Sequence, residues 1–447
     1  MTDSMMETPV NSVPWRAATS SIALLALILL AGVVLPMELY AQRPASGSSA
    51  DSARAAADSL AARLRRAEEA IALLHQQLGE QASTAVTTRS RMQLELTGRI
   101  AVHSFYNDGR VNNVDDPQIA RPDSASSIPS SAFGMAIRQT TLGAVITARD
   151  VLGGRFVGDI DVDFFGGQQP SSGGRNFPLM RVRTARGTVK WPNGEIMVGQ
   201  ESPLIVGVNP ITPAAIGTPD FATAGNLWLW LPQARGTIET SGRVRFALQG
   251  AVIGNITGDG VGTFDTDADA AEKTGRPAGE GRLRVRWGED ERAGEVGCGG
   301  HVGWVAVPAA TRQTNAVACD AHISLMSGVE IRGEAYSGRG LRGLGGGGIS
   351  QNIGRSAAPL SDKGGWGQLN VDVHPVVRVG AGFGEDQPDE PDVPAGGRLN
   401  NQALAAYTII KPGGPVFLGV ELRRLTTRYA TGSVRNNHIS ISTGFEF

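Results

Sequence analysis

The sequence predicts an all-β fold: a transmembrane antiparallel β-barrel of about 16 strands, preceded by a short N-terminal α-helical coiled-coil segment. Three observations carry this expectation. From residue 93 to the end, apolar and polar residues alternate with period two. Long and short connections between the alternating runs keep a regular phase. The chain closes on Phe447, at the end of such a run.

Composition narrows the alternatives. The chain has 447 residues, 41% hydrophobic and 19% charged, with a mean hydropathy of −0.10. A multi-span helical transporter is excluded, because each helical span needs about 20 consecutive apolar residues. Disorder is excluded as well, since 41 basic residues nearly cancel 43 acidic ones and apolar segments recur throughout. A net charge of −2 offers nothing to nucleic acid. Glycine stands at 59 residues, which suits tight turns, long loops and close-packed strands.

The N-terminus reads as an export leader. Arg16 precedes the apolar run Ser21 to Leu35, too short for a comfortable span, and Leu39-Tyr40-Ala41 ends on a small residue. A signal peptide over 1–41 with cleavage after Ala41 is expected, the alternative being an uncleaved anchor helix. A linker over 42–51 leads to a helix over 52–80. There Leu60, Leu64, Ala67, Ile71, Leu74 and Leu78 repeat with heptad spacing, Arg63 and Glu68 fall at g and e, and Gly79 stops the helix. This pattern predicts a short oligomeric stalk, with a single packed amphipathic helix as the alternative, and leaves dimer and trimer open. A second linker, 81–92, precedes the barrel, 93–447.

Within the barrel one face of each run is apolar and the other is charged. Phe156, Ile160 and Val162 alternate with Arg155, Asp159, Asp161 and Asp163, and Leu283, Val285 and Trp287 alternate with Arg282, Arg284 and Arg286. In a membrane barrel the apolar face meets lipid and the polar face lines a watery lumen. The expected lumen-facing residues are Arg99, Arg155, Arg181, Arg183, Arg243, Arg245, Arg282, Arg284, Arg286, Arg332, Arg378 and Arg423, opposed by Glu95, Asp159, Asp161, Asp163, Glu330, Glu334, Asp372, Glu421 and Glu446. Arginines cluster on the fourth, seventh and eighth strands and acids on the third and eleventh. That distribution predicts a transverse field with a weak anion preference, since guanidinium binds carboxylate or phosphate bidentately. Charges that merely solvate the lumen and pair with one another are the bland alternative.

Connections expected on the outer side are Asn107–Ser131, Gly166–Pro178, Ser202–Pro232, Asn255–Gly279, Gly338–Gly365 and Glu385–Leu399, with intermediate ones at Val307–Thr314 and Tyr429–Asn436. The longest, Ser202–Pro232, carries Asn226-Leu227-Trp228-Leu229-Trp230-Leu231 and is too apolar to dangle in water. It is the candidate constriction loop, with packing on a neighbouring subunit or an aromatic girdle as alternatives.

Cys298-x-x-His301 and Cys319-x-x-His322 imitate a zinc site, but residues three apart on a strand point to opposite faces. Cys298 and Cys319 are instead mirror-placed about Pro308–Ala309, which predicts a disulfide, suited to an oxidising periplasm. Asp265, Asp267 and Asp269 alternate in a loop without the glycine and glutamate of a calcium loop, and read as a solvated acidic segment. No hydrolase signature is present. No metal and no cofactor are expected.

Met180-Arg181-Val182-Arg183-Thr184-Ala185-Arg186-Gly187, then Gly199-Gln200-Glu201-Ser202-Pro203, together with Arg138-Gln139-Thr140-Thr141-Leu142-Gly143, resemble the DcaP-like trimeric outer-membrane porins. The likeness covers the layout of most of the chain, but specific residues only between about 133 and 240; Pro203 departs from the apolar aromatic entry expected there. The resemblance implies a homotrimer in the bacterial outer membrane. With the barrel reading it predicts a passive channel for small hydrophilic solutes, with a weak anion or carboxylate preference and no enzyme activity. The rival readings are a structural barrel with a cell-wall-binding stalk and a barrel hydrolase. Membrane lipid and small polar or anionic solutes are the expected partners, and nucleic acid is not.

Overall fold

The computed structural model describes residues 86–87, 92–123, 130–167, 174–259, 267–288 and 293–447. The chain divides into two units, Met1–Gly79 and Glu80–Phe447, and all described residues belong to the second. The expected leader and heptad helix lie outside the described residues.

Sixteen spanning strands form one closed antiparallel sheet. They are β1 (Gln93–Asn107), β2 (Ala132–Ala136 and Thr141–Val151), β3 (Gly154–Asp163), β4 (Arg181–Trp191), β5 (Gly194–Glu201), β6 (Leu231–Glu239), β7 (Val244–Ile253) and β8 (Ala278–Trp287). They continue as β9 (Gly294–Val307), β10 (Ala310–Met326), β11 (Val329–Arg339), β12 (Ser361–His374), β13 (Val377–Pro388), β14 (Arg398–Gly413), β15 (Val416–Tyr429) and β16 (Gly432–Glu446). The two pieces of β2 pair with successive halves of β1, so they count as one interrupted strand. A two-residue piece, Val86–Thr87, also pairs with β1.

The barrel closes where β16 meets β1, from His438 opposite Asn107 to Glu446 opposite Arg99. Phe447 completes the seam: its amide donates to the Gly98 carbonyl at 3.0 Å and Gly98 returns a bond at 2.8 Å. Closure leaves no open sheet edge, the condition for crossing a bilayer with strands.

Burial runs opposite to that of a soluble sheet. Large apolar side chains such as Leu96, Ile100, Leu248, Leu283 and Leu422 are exposed on the outside, while Asp163, Asp320, Glu421 and His438 are buried inside. That is the pattern of a wall with lipid outside and polar groups within.

The phase of the connections holds with two exceptions. At the end that carries the long loops, β9–β10 and β15–β16 are joined by tight two-residue turns, not by intermediate loops. Their strands run on past the apolar band as hairpins, with Trp304 opposite Gln313 and Thr427 opposite Val434 still in register.

Residues 202–230 fold into the barrel. Leu204, Ile205 and Leu227 from this loop pack on Ala316, Ala318 and Tyr336 of the wall, and Phe221 and Ala224 pack on Trp366, Ala403 and Leu425. The apolar interior therefore lies along the inner faces of β6 to β8 and of β10 to β15. Each fully buried Leu, Ile or Phe contributes about 1.5–3 kcal/mol. Ordering the backbone costs about 1–2 kcal/mol per residue. Polar anchors add to this apolar burial in holding the loop to the wall.

Candidate functional site

The anchors come from inward side chains spread around the wall. The Ile205 amide donates to Glu280 (3.1 Å), Gly207 to Asp320 (3.1 Å) and Leu227 to Glu334 (3.2 Å). Ile211 exchanges two bonds with the Gln368 amide, at 2.7 and 2.8 Å. The Thr212 hydroxyl donates to Glu421, and Ile216 donates to Gln139 at 2.8 Å. Gln139 sits in the break of β2, which frees it from strand alternation and turns it inward, fully buried. Beside it Arg138 pairs with Asp115 at 2.9 Å and lies over the Phe165 ring. Carboxylates thus hold the loop through its backbone N–H groups, the charge-assisted type of hydrogen bond.

The densest charge lies on β3 and β4. Asp163 faces Arg181, Asp161 faces Thr184 and Asp159 faces Arg186; the register slips between Asp161 and Val162, so Arg183 is an extra residue. This β-bulge sends Arg181, Arg183 and Arg186 all inward, although 183 and 186 would otherwise point apart. Arg181 meets Asp163 at 2.6 Å, Arg183 meets Asp161 at 2.8 Å, and Arg186 meets Asp159 at 2.8 Å and also Glu201. The bulge crowds β5: Gly199, opposite Arg186, has φ +142° and leaves a Cβ only 2.5 Å from the Arg186 Cα. Arg181 and Arg183 lie over the Trp230 ring, 5.1 and 5.0 Å from its centroid. Arg186 and Glu201 were not among the expected residues, because strict alternation places 186 on the lipid face and 201 at a strand end.

A second group gathers on β6 to β10. Glu239 takes Arg284 at 3.1 Å, Arg286 at 2.5 Å and Arg245 at 3.6 Å. Arg282 is buried under the inward loop, bound to Asp320 and to the Ile205 carbonyl, with Glu295 at 3.4 Å. On β10 to β13, Glu330 takes His322 (2.8 Å), Arg332 (3.1 Å) and Arg378 (3.7 Å), and Arg378 also meets Asp372 at 2.6 Å. At the seam Arg99 lies over Phe417 and bonds Glu446, which also takes Lys411 at 2.5 Å.

Several expectations need correction. Arg243 lies in the turn before β7, exposed and outside the wall. Arg155 is exposed beside the short β2–β3 turn, at the mouth, and has no ion-pair partner among the described residues. Glu95 is likewise exposed near the start of β1. Arg282, Glu334 and Arg423 face inward but are covered by loops, at 3%, 4% and 3% exposure. The transverse field is replaced by local pairing: the acids of β3 neutralise the arginines of the adjacent β4. Cross-strand contact at hydrogen-bond distance outweighs interactions across a water-filled lumen, which solvent screens.

Arg423 organises a buried knot. Its guanidinium contacts Asp116 at 3.2 Å, Glu421 at 2.7 Å and Asp220. Three carboxylates on one cation cannot all remain charged out of water. Burial pushes Asp116, in the loop between β1 and β2, up to about 7, with Arg423 opposing and Asp115 and Glu421 adding to the rise. Burial likewise holds Asp220, in the inward loop, well above the usual carboxylate range. Thr218 donates to Asp116 at 3.1 Å, so this knot clasps the inward loop to the wall.

Cys298 and Cys319 are register partners on the outer face and their sulfurs are bonded. His301 and His322 point inward, each to its own carboxylate: Glu280 at 2.9 Å and Glu330 at 2.8 Å. The four side chains do not converge. Asp269 spends its carboxylate on its own loop, accepting from Thr257, Ala271 and Glu272.

Two cavities remain open on the side of β1 to β4. One, of about 270 Å³, is lined by Arg183, Asn209, Thr212, Trp228 and Trp230. The other, of about 390 Å³, is lined by Thr97, Asp159, Asp161, Arg183 and Arg186. Arg183 belongs to both. A sixteen-stranded closed barrel with its longest loop folded inside and polar space beside that loop has the fold of a bacterial outer-membrane porin, and the outer membrane is where this barrel resides.

The chain matches no protein-family profile and no curated protein. Among solved structures it is similar to the outer-membrane channel DcaP of Acinetobacter baumannii, with 17% identity and a TM-score of 0.64 over 81% of this chain and all of that one. It is also similar to an anion-selective porin from Comamonas acidovorans (12% identity, TM-score 0.52, 80% of this chain and all of that one). OmpF of Salmonella typhi is comparable (11%, 0.52, 81% and 100%). The expected likeness to DcaP thus holds for the barrel fold.

Proposed function

We propose that the protein is a passive diffusion channel for small hydrophilic solutes, with a weak preference for anions such as carboxylates. The observation that carries this reading is the position of Arg183, shared by the two cavities beside the inward loop. A solute moving between them passes its guanidinium. The acids of β3 neutralise this ladder only in part at its surface. Asp163 is fully covered, while Arg181, Arg183 and Arg186 keep side-chain exposures of 27%, 22% and 38%. Asp161, at 35%, tempers the effect, which is why the preference is weak. The inward-facing charges of β3 and β4, with Glu239, Arg245, Arg284 and Arg286 on β6 to β8, line this pore, and no covalent step is assigned to them. The assembly is a homotrimer, as the resemblance implies, held also by the heptad segment.

Reversal potentials in a salt gradient across a planar bilayer test the proposal. Anion preference that shrinks in Arg183→Gln supports it. Clear cation preference in the unsubstituted protein overturns the selectivity, and absence of conductance favours the structural-barrel reading.

A further inference from the structure

Above the apolar band, the outside of the barrel carries a polar groove that the channel does not use. It lies across β10 to β13 at the long-loop end, with an open volume of about 630 Å³, and is lined by Asn315, Ser337, Arg339, Lys363 and Gln387. These residues share the outer face by register: Asn315 stands opposite Arg339, and Ser337 opposite Lys363, which in turn faces Gln387. Arg339 and Lys363 are diagonal neighbours on adjacent strands, within reach of one ligand. Both are exposed, and neither forms an ion pair or side-chain hydrogen bond with any described residue.

Below them the same face turns apolar. Val317 is 64% exposed, Phe383 47% and Leu404 52%. Two free cations therefore sit directly above a lipid-facing apolar wall, at the level of the outer-leaflet headgroups. The carboxylates nearby are largely committed. Glu390 is paired with Arg428 at 2.8 Å, and Glu385 accepts from Asn400 and Gln402 at 2.7 and 3.0 Å. Asp362 turns inward and takes the Gly348 amide. Of the carboxylates lining the groove, Asp389 alone has no side-chain partner among the described residues, so the groove keeps a positive excess.

We infer that this groove binds the phosphorylated headgroup of an outer-leaflet glycolipid. Arg339 and Lys363 hold one phosphate between them, the Asn315 and Gln387 amides meet sugar hydroxyls, and an acyl chain lies along Val317 and Phe383. Charge above and hydrocarbon below is the complement of an anionic amphiphile, whereas a free anion would find no use for the apolar wall. The inference is independent of what passes through the lumen.

Native mass spectrometry of the detergent-purified full-length protein, mixed with bis-phosphorylated lipid A, tests it. Adduct formation is expected to fall roughly fivefold for each cation removed in Arg339→Gln and Lys363→Gln, and to persist in Arg339→Lys with Lys363→Arg. Dephosphorylated lipid A is expected to bind no better to the native protein than to the Gln variants. Equal adducts in native and Gln variants, or equal binding of the dephosphorylated lipid, overturn the inference. Displacement by inorganic phosphate at equal concentration overturns it too, in favour of a free-phosphate site. Heat-modifiable migration on gels verifies that each variant is folded; if the double variant is not, Lys363→Gln alone carries the comparison.

Discussion

Arg186 pairs with Asp159 through Nε and Oδ1 at 2.8 Å, although it stands three positions from Arg183, which also points inward. The relationship exists only because the bulge inserts one residue into β4. Replacing Arg186 with Gln leaves Asp159 and Glu201 without their shared cation. The reversal potential is expected to move toward cation preference, and by more than in Arg155→Gln, whose side chain sits at the mouth without an ion-pair partner. Equal shifts in the two variants would count against the bulge as the source of selectivity.

The inward loop passes so close to β12 that Gly225 has no room for a side chain. Its φ is +102°, and a Cβ there would fall 2.2 Å from the Gly365 carbonyl oxygen. Gly225→Val is therefore expected to push the loop off the wall and raise single-channel conductance, while the barrel keeps its strand content by circular dichroism.

The knot around Arg423 makes the loop sensitive to pH. With the loop in place Asp116 holds its proton up to about pH 7, whereas a solvated Asp releases it near 4. The seated state binds more protons across that window, so its stability falls as pH rises from about 4 through 7. Burial raises Asp220 well above the usual carboxylate range as well, so its titration adds to the loss in the same direction. Open-channel noise and conductance are expected to increase between pH 6 and pH 9, and Asp116→Asn is expected to flatten that dependence.

Arg282 tests how the buried charges hold the wall. Asp320→Ala removes its closest carboxylate and the acceptor for the Gly207 amide, leaving only Glu295 at 3.4 Å. Stranding a buried charge costs about 3–5 kcal/mol. The temperature of heat modification is expected to fall well below that of Glu295→Ala.

The bonded sulfurs face lipid, in a hairpin already paired from Gly294 opposite Ile323 to Val307 opposite Ala310. Non-reducing intact-mass measurement of the isolated protein is expected to show both thiols oxidised. A Cys298→Ser/Cys319→Ser variant should still assemble the barrel, since register and closure do not pass through the bond.

Much of the barrel was legible in period-two alternation, because a wall between lipid and water writes its two faces into every strand. The break at Arg138–Thr140 and the bulge at Arg183 were not, since each is a local failure of the very period used to read the rest. Nor was the pairing of β3 with β4 charges, which depends on register, and a slip of one residue would reassign every partner. The tight turns at Pro308–Ala309 and Ala430–Thr431 look longer in the sequence than they are, because the polar residues beside them, Arg312 and Arg435 among them, resemble loop while sitting on extended hairpins. The loop over 202–230 announced its apolar character, but its wall contacts, from Glu280 round to Gln139, join residues far apart in the chain.

Those wall contacts have a mechanical side. A hollow cylinder one sheet thick resists flattening poorly, and the 202–230 segment braces it from within, tied to β8, β10, β11, β12 and β15 and to the break of β2. The segment that fills much of the interior is also the strut that ties opposite sides of the wall together. On the channel reading proposed above, widening the passage and softening the cylinder would be one motion, because both run through the same six attachments.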